Sequence, residues 1–263
     1  MKTRSQTNNV AQPLMVDVTF IGDRSGSMVS MGNGLIEGAT KFVKSHSELA
    51  KNGESTTNYN LKVVSFDNVP TQIYDGNATD FFENPENTDR LHKGLEPRGT
   101  TRLYDTIINE AMAQNKRVTQ FRKSLHPSVL ALNPRIVVIL AVLTDGEDNV
   151  SSCRSSEVRA IITHHIKEFD ATCQFIAANQ NANMSGARMG FPVETCLQMD
   201  ADPEHAAAAM ESVTYSCIRT ISGESPHFSD IERTSSARYM PGSWEPSFPI
   251  VDEDSDEESQ PYR

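Results

Sequence analysis

The chain has 263 residues, enough for one large domain with a tail or for two small domains. Its net charge of −11 argues against nucleic acid as the main partner, because phosphate binding needs a basic stripe. No stretch approaches the roughly 18 consecutive apolar residues of a bilayer span, and the charged start Met1-Lys2-Thr3-Arg4 is followed by no apolar region, so neither a membrane span nor a secretory signal is expected.

The charge is uneven. From Glu245 onward there are seven acids and one arginine, so this short tail carries −6 and the rest of the chain −5. Cys153, Cys173, Cys196 and Cys217 are spaced too widely for a C-x-x-C zinc pair. With no secretory signal they read as reduced, packed thiols, and the cytoplasm is the expected compartment.

Residues 1–13 are polar and read as a disordered leader. Met15-Val16-Asp17-Val18-Thr19-Phe20-Ile21 is β-branched and apolar, hence a first strand. Residues 33–49 place Leu35, Ile36, Ala39, Phe42 and Val43 at helical spacing. Residues 60–66 form a second strand, Asp67-Asn68 a turn, and residues 69–74 a third strand returning as a hairpin. The polar stretch 75–99, punctuated by Gly76, Pro85, Gly94, Pro97 and Gly99, reads as loop with short helical pieces.

Residues 103–125 then read as a long amphipathic helix. The nearly all-apolar segment 135–143 has the composition of a strand covered on both faces. A helix over 155–169, a strand over 172–177, a weaker edge strand over 193–199 and a final helix over 203–221, with proline in its first turn, complete the pattern. From Gly223 onward periodicity stops, and 223–263 reads as a disordered acidic tail beyond a domain of residues 14–222. Strand–helix alternation with one hairpin implies an α/β fold. The expected form is a doubly wound, mostly parallel six-stranded sheet with one antiparallel hairpin strand, helices on both faces and order 3-2-1-4-5-6.

In that order the first strand lies beside the fourth, where the winding reverses and where ligands bind at the carboxyl ends. Asp23 follows the first strand and Asp145 the fourth, so two carboxylates 122 residues apart arrive side by side on strands about 5 Å apart. Ser25 and Ser27 follow Asp23 on a loop made permissive by Gly22 and Gly26, and Thr101 lies where the long loop gives way to the next helix. An all-oxygen set suits a hard cation, Mg²⁺ first, then Mn²⁺ or Ca²⁺. Two carboxylates neutralise such an ion while hydroxyls add no charge, so a vacant position would attract a carboxylate from another protein.

Three segments carry a family resemblance. Asp23-Arg24-Ser25-Gly26-Ser27 matches the D-x-S-x-S of the metal-ion-dependent adhesion site (MIDAS) in von Willebrand factor A (vWA) and integrin inserted domains. Gly99-Thr100-Thr101-Arg102-Leu103 resembles the family's threonine loop, and Leu143-Thr144-Asp145-Gly146 its last ligand segment. The resemblance covers residues 14–221 and implies a single-domain member of microbial or viral type. Ser25, Ser27 and Thr101 would then touch the metal, with Asp23 and Asp145 binding directly or through water. Phe175-Ile176-Ala177-Ala178-Asn179-Gln180-Asn181-Ala182 resembles a strand-end motif of microbial members, which commonly have aspartate where this chain has Asn181.

Plainer readings stand beside these. Asp-x-Ser-x-Ser alone is usually a turn or cap, Thr100 and Thr101 are plausible N-caps, and Asp145-Gly146 alone is a turn. Arg24, Thr100, Glu147, Asn179 and Gln180 are candidates for the rim of the site, with solvation or loop capping the simpler reading of each. His164 and His165 are adjacent on a helix, point apart and make a poor ligand pair. Trp244-Glu245-Pro246-Ser247-Phe248-Pro249-Ile250-Val251 has the form of a linear docking motif or of part of an inert tail, and Ser255 precedes three acids as at an acidic-directed kinase site.

The favoured function is a non-enzymatic, cation-dependent protein-binding domain whose partner presents an acidic side chain, with no catalytic residues. One alternative is a regulatory or structural subunit of an AAA+ ATPase assembly with a partly structural metal. The other is a Mg²⁺-dependent phosphotransferase or phosphatase. That chemistry needs a second acid two residues after Asp23 to protonate the leaving group, and Ser25 stands there.

Overall fold

The computed structural model describes residues 11–53 and 56–238. Its centre is a six-stranded sheet in the order β3-β2-β1-β4-β5-β6. The strands are β1 (Met15–Asp23), β2 (Asn58–Phe66), β3 (Pro70–Asn77), β4 (Ile136–Thr144), β5 (Ala171–Ala177) and β6 (Cys196–Gln198). Only the β2–β3 hairpin is antiparallel; β1 pairs in parallel with β2 and β4, and β5 joins β4 to β6 in parallel. Every residue of β1 is buried, as are all but the first of β4. These are the two central strands, and water reaches neither face.

Helices cover both faces. On one, α1 (Gly34–Asn52), α2 (Glu86–Gly94) and α7 (Pro203–Ser222) pack Leu35, Phe42, Val43, Leu91, Met210 and Val213 onto Val16, Val18 and Phe20 of β1. On the other, α3 (Leu103–Ser124), α5 (Ser155–Phe169) and α6 (Ala182–Arg188) bring Ile107, Val118, Val158 and Ile162 onto Ile21, Leu140 and Val142. Fully burying one such side chain contributes about 1.5–3 kcal/mol. Alternate residues of β1 serve opposite faces, as the strand period of two requires. A short helix, α4 (Pro127–Leu130), links α3 to β4.

Helices α1 and α7 approach closely because glycine lines their contact. A Cβ on Gly38 would lie 2.5 Å from the Cβ of Met210, and one on Gly34 would collide with the backbone of Pro203. The four cysteines are unbridged, and Cys173, Cys196 and Cys217 are buried.

Four expectations from the sequence need correction. The edge strand over 193–199 is shorter, with a 3₁₀ turn at Val193–Thr195 and strand pairing only over Cys196–Gln198. The segment after Ala177, given no element from the sequence, contains α6. The structured part also does not stop at residue 222. Residues 224–238 pack on the domain, with Phe228 buried and α8 (Asp230–Ser236) lying along the open edge of β6. There Arg233 donates to the carbonyls of Cys196 and Glu194, Ser236 to that of Gln198, and Arg219 pairs with Glu232 at 2.9 Å. These donors satisfy edge carbonyls that would otherwise need water or another strand. At the other end Pro13 is buried, and its carbonyl accepts from Thr57, so it belongs to the domain rather than to a leader. Residues 1–10 of the leader and the tail beyond residue 238 lie outside the described residues.

Candidate metal site

The site is built where β1 and β4 end. The register pairs Gly22 with Leu143, so the next residues, Asp23 and Thr144, stand side by side. The Thr144 hydroxyl donates to Asp23 Oδ2 at 2.6 Å, and the Ser25 N–H donates to Asp23 Oδ1 at 2.7 Å. The second bond is an Asx-type turn that folds the chain back immediately after the strand.

Two loops then run together. The Arg98 N–H donates to the Arg24 carbonyl at 2.6 Å and the Gly26 N–H to the Gly99 carbonyl at 3.1 Å. Gly99 has φ +73°, and a Cβ there would sit 3.0 Å from the Asn68 side chain, so glycine answers both backbone conformation and space.

Thr101 is held by a third loop. Its N–H donates to Asn149 Oδ1 and its carbonyl accepts from the Asn149 N–H, both at 3.0 Å. The free N–H groups in the first turn of α3 are met from the same loop, Tyr104 by Asp148 at 3.1 Å and Asp105 by the Ser151 hydroxyl at 3.1 Å. The start of α3 is therefore tied to the loop that begins with Asp145.

These constraints bring the five side chains together. Ser25 Oγ and Ser27 Oγ are 3.1 Å apart, and Ser27 donates to Asp145 Oδ1 at 2.7 Å. Ser27 Oγ and Thr101 Oγ1 each lie 3.8 Å from the point a Cβ on Gly146 would occupy. Asp23, Ser25, Thr101 and Asp145 are buried while Ser27 is exposed, so the cluster meets solvent on the Ser27 side.

The electrostatics are those of two acids short of positive charge. Burial pushes the Asp23 carboxyl up to about 6; hydrogen bonds from Thr144 and Ser25 oppose this, and the Asp145 charge adds to it. Burial also raises Asp145 against the Ser27 hydrogen bond. Asp145 Oδ2 is buried and has no hydrogen-bond partner. Two desolvated carboxylates, three hydroxyls and one unpaired carboxylate oxygen make a donor set that fits a hard divalent cation.

The rim candidates divide. Arg24 is not on the rim: its side chain is buried and turned to the buried Asp67, with Nε 3.7 Å from Oδ2, while Arg98, which pairs with the same oxygen at 2.7 Å, stays exposed. Burial would raise Asp67, but its hydrogen bonds and the two arginines hold it below the usual carboxylate range. Thr100 and Glu147 are exposed. Asn179 and Gln180 brace the loop, donating to the carbonyls of Asp145 at 3.4 Å and Gly146 at 3.1 Å. Asn181 caps α6 by accepting from the Met184 N–H, which accounts for an amide at that position.

Sequence reasoning missed the roles of Thr144 as an orienting donor and of Asn149 and Asp148 as clasps. Thr144 lay inside a recognised segment, but nothing in the spacing marks which hydroxyl points at Asp23.

A second acidic cluster, Asp200, Asp202 and His205, has side-chain oxygen and nitrogen atoms within 4.8 Å of one another. Its groups have protein partners. Asp202 caps α7 through the His205 N–H at 3.0 Å and contacts His205 Nδ1 at 2.7 Å, and Asp200 accepts from the Arg238 N–H at 3.0 Å. It fastens the end of the described chain to the start of α7.

No protein-family model and no curated protein sequence matches this chain. Solved structures do. The pilus adhesin SpaC from Lactobacillus rhamnosus GG, in an open conformation, aligns at TM-score 0.53 and 12% identity over 81% of this chain and 31% of that one. The vWF domain of the type V pili tip protein Mfa5 from Porphyromonas gingivalis aligns at 0.50 and 13% identity over 80% and 97%. Proximal thread matrix protein 1 from the mussel byssus, with a zinc-occupied MIDAS motif, aligns at 0.50 and 15% over 77% and 48%. The chain spans less than half the length of the adhesin and the thread protein. At such identities the likeness is one of fold.

Proposed function

We propose that this chain, whose fold is that of a von Willebrand factor A domain, is a non-enzymatic module that binds a protein partner through a divalent cation. The ion would be held by Asp23, Ser25, Ser27, Thr101 and Asp145, with Mg²⁺ the first choice and Mn²⁺ or Ca²⁺ possible. A cation bound there supplies a positive centre that accepts an oxygen from outside, and the partner group that suits it is a carboxylate. The chain's own residues do the rest. Thr144 and the Ser25 N–H hold Asp23 in one orientation, Asn179 and Gln180 hold the Asp145 loop, and Ser27 keeps the approach open.

The observation that carries this reading is the unpaired, buried Asp145 Oδ2 beside a second desolvated acid. An unsatisfied buried charge costs several kcal/mol, and folds keep such groups where something else completes them. Ser25 in place of a second acid, two residues after Asp23, supports a binding role over phosphoryl transfer. Three buried, unbridged thiols suit a reducing compartment, so the cytoplasm remains the proposed location.

Titration calorimetry with Mg²⁺ and Mn²⁺ tests the proposal. One-site saturable binding is expected, weakened at least about 100-fold by Asp23→Ala, which exceeds what the loss of an outer partner costs. Equal affinity in the two proteins refutes it.

A further inference from the structure

The end of the described chain lies on the same edge of the sheet as the candidate site. Because β1, β4, β5 and β6 are parallel, their carboxyl ends share one edge. Arg238 is fastened at that edge: its N–H donates to Asp200, two residues past β6, and the Asp200 N–H donates to the Ser236 carbonyl. Strand β6 is two strands from β4, a lateral distance of about 10 Å. The chain thus leaves the domain beside the site.

The residues beyond Arg238 suit that site in length and chemistry. Asp252 is the fourteenth residue beyond it and opens the run Asp252-Glu253-Asp254, with Asp256-Glu257-Glu258 close behind. Fourteen residues reach about 45 Å when extended and have a root-mean-square span of about 20 Å as a coil. The first acid therefore needs no extended path to arrive, and its effective concentration there is of millimolar order. Phe248, Ile250 and Val251 precede the acids. On the domain, exposed Val29 and Val69 lie close in sequence to Ser27 and Asp67, and the Arg98 guanidinium, paired with Asp67, is exposed beside the Asp23 loop. The surface has apolar side chains, an exposed guanidinium and the proposed cation; the segment has apolar residues and then carboxylates.

We propose that the acidic segment 252–258 docks in cis on the cation site, one carboxylate taking the position that an outside partner would occupy, so that the chain carries its own competitor. This rests on the cation reading, and its test separates the two. Trp244 is the single tryptophan and precedes the acids by eight residues, so its emission reports on docking. Mg²⁺ is titrated into the full chain with emission and heat monitored in parallel. The expected result is a shift of the emission to shorter wavelength whose midpoint equals the calorimetric one. Changing Asp252, Asp254 and Asp256 to Asn together with Glu253, Glu257 and Glu258 to Gln should abolish the shift and leave Mg²⁺ binding intact. Asp23→Ala, with Ser27→Ala at the exposed position as the gentler second variant, should reduce both.

Mg²⁺ binding without any change in emission overturns the proposal and leaves the cation site standing. A shift that persists in the neutralised tail or in Asp23→Ala also overturns it, since the tail would then act independently of the site. A midpoint that moves with protein concentration assigns the contact to a second copy and overturns the cis arrangement. Absence of Mg²⁺ binding by calorimetry removes both readings together.

Discussion

Replacing Asp23 by asparagine should stabilise the metal-free protein while abolishing its response to Mg²⁺. Burial pushes this carboxyl from 3.8 to about 6, and a displacement of about two pH units corresponds to roughly 3 kcal/mol at neutral pH. Asparagine has nearly the same shape. Its oxygen can accept from the Ser25 N–H, and its amide can donate to Thr144 Oγ1, whose own proton is free to go to the Gly146 carbonyl 3.1 Å away. Exchanging charge-assisted hydrogen bonds for neutral ones costs about 1–2 kcal/mol. A net gain of about 1–2 kcal/mol remains, or roughly 2–8 °C in melting temperature for a domain of this size. Because the folded pKa lies above the unfolded one, the wild-type contribution is fully present below pH 4 and is lost as pH rises through 6. The gap between variant and wild type should therefore open between pH 4 and 6 and be complete at pH 7. Differential scanning calorimetry in EDTA across that range, repeated with excess Mg²⁺ at pH 7, measures it. A variant that melts at or below wild type in EDTA at pH 7, or a gap already complete at pH 4, refutes the claim that Asp23 is held ionised at a cost.

Two stability predictions concern elements away from the site. Phe228→Ala should cost about 3–5 kcal/mol, as for other buried phenylalanines; a change under about 1 kcal/mol in urea denaturation would show that residues 224–238 are not part of the folded unit. Arg117→Met should cost about 3–5 kcal/mol near pH 7, because it leaves Asp17 buried without the guanidinium that now donates to both of its oxygens at 2.8 Å. A loss under about 1 kcal/mol in urea denaturation would show that the pair adds no net stability to the fold.

The strands were legible because burial on both faces leaves a composition that little else produces. Segments such as Ile136–Thr144 have no polar face to hide. Strand order came from alternation with helices, and it brought Asp23 and Asp145 together across 122 residues. The segment from Gly223 to Arg238 was not legible for an equally physical reason. It offers one apolar anchor, Phe228, and leaves Ile231 exposed, so it has no periodicity. What holds it is a set of long-range polar contacts, Arg233 to the Cys196 carbonyl and Glu232 to Arg219, and no local pattern announces those. Arg24 misled in the same way. A charged residue in a loop reads as solvated, and its burial depends on Asp67, which lies 43 positions on and becomes a neighbour only through the β1–β2 pairing.

A contrast within one strand bears most directly on the site. Asp17 and Asp23 both lie on β1, six residues apart and thus on the same side of the strand, and both are completely buried. Around Asp17 the fold supplies a cation. Arg117 donates from two nitrogens and Gln114 adds a third donor at 2.8 Å, so the acid is neutralised from within the chain. Around Asp23 the donors are a backbone N–H and a threonine hydroxyl, both neutral, and the charged group nearest in the coulombic sense is another acid, Asp145. The one arginine adjacent in sequence, Arg24, is drawn off to Asp67. A fold that compensates one buried acid so fully, and leaves the next one on the same strand facing hydroxyls and a second carboxylate, supports the proposal that the missing positive charge comes from a bound cation. On that proposal a lysine introduced at Ser25 or Ser27 should imitate the ion, lowering the Asp23 pKa and weakening Mg²⁺ binding. A lysine variant whose melting temperature still rises with Mg²⁺ as wild type does would break that argument.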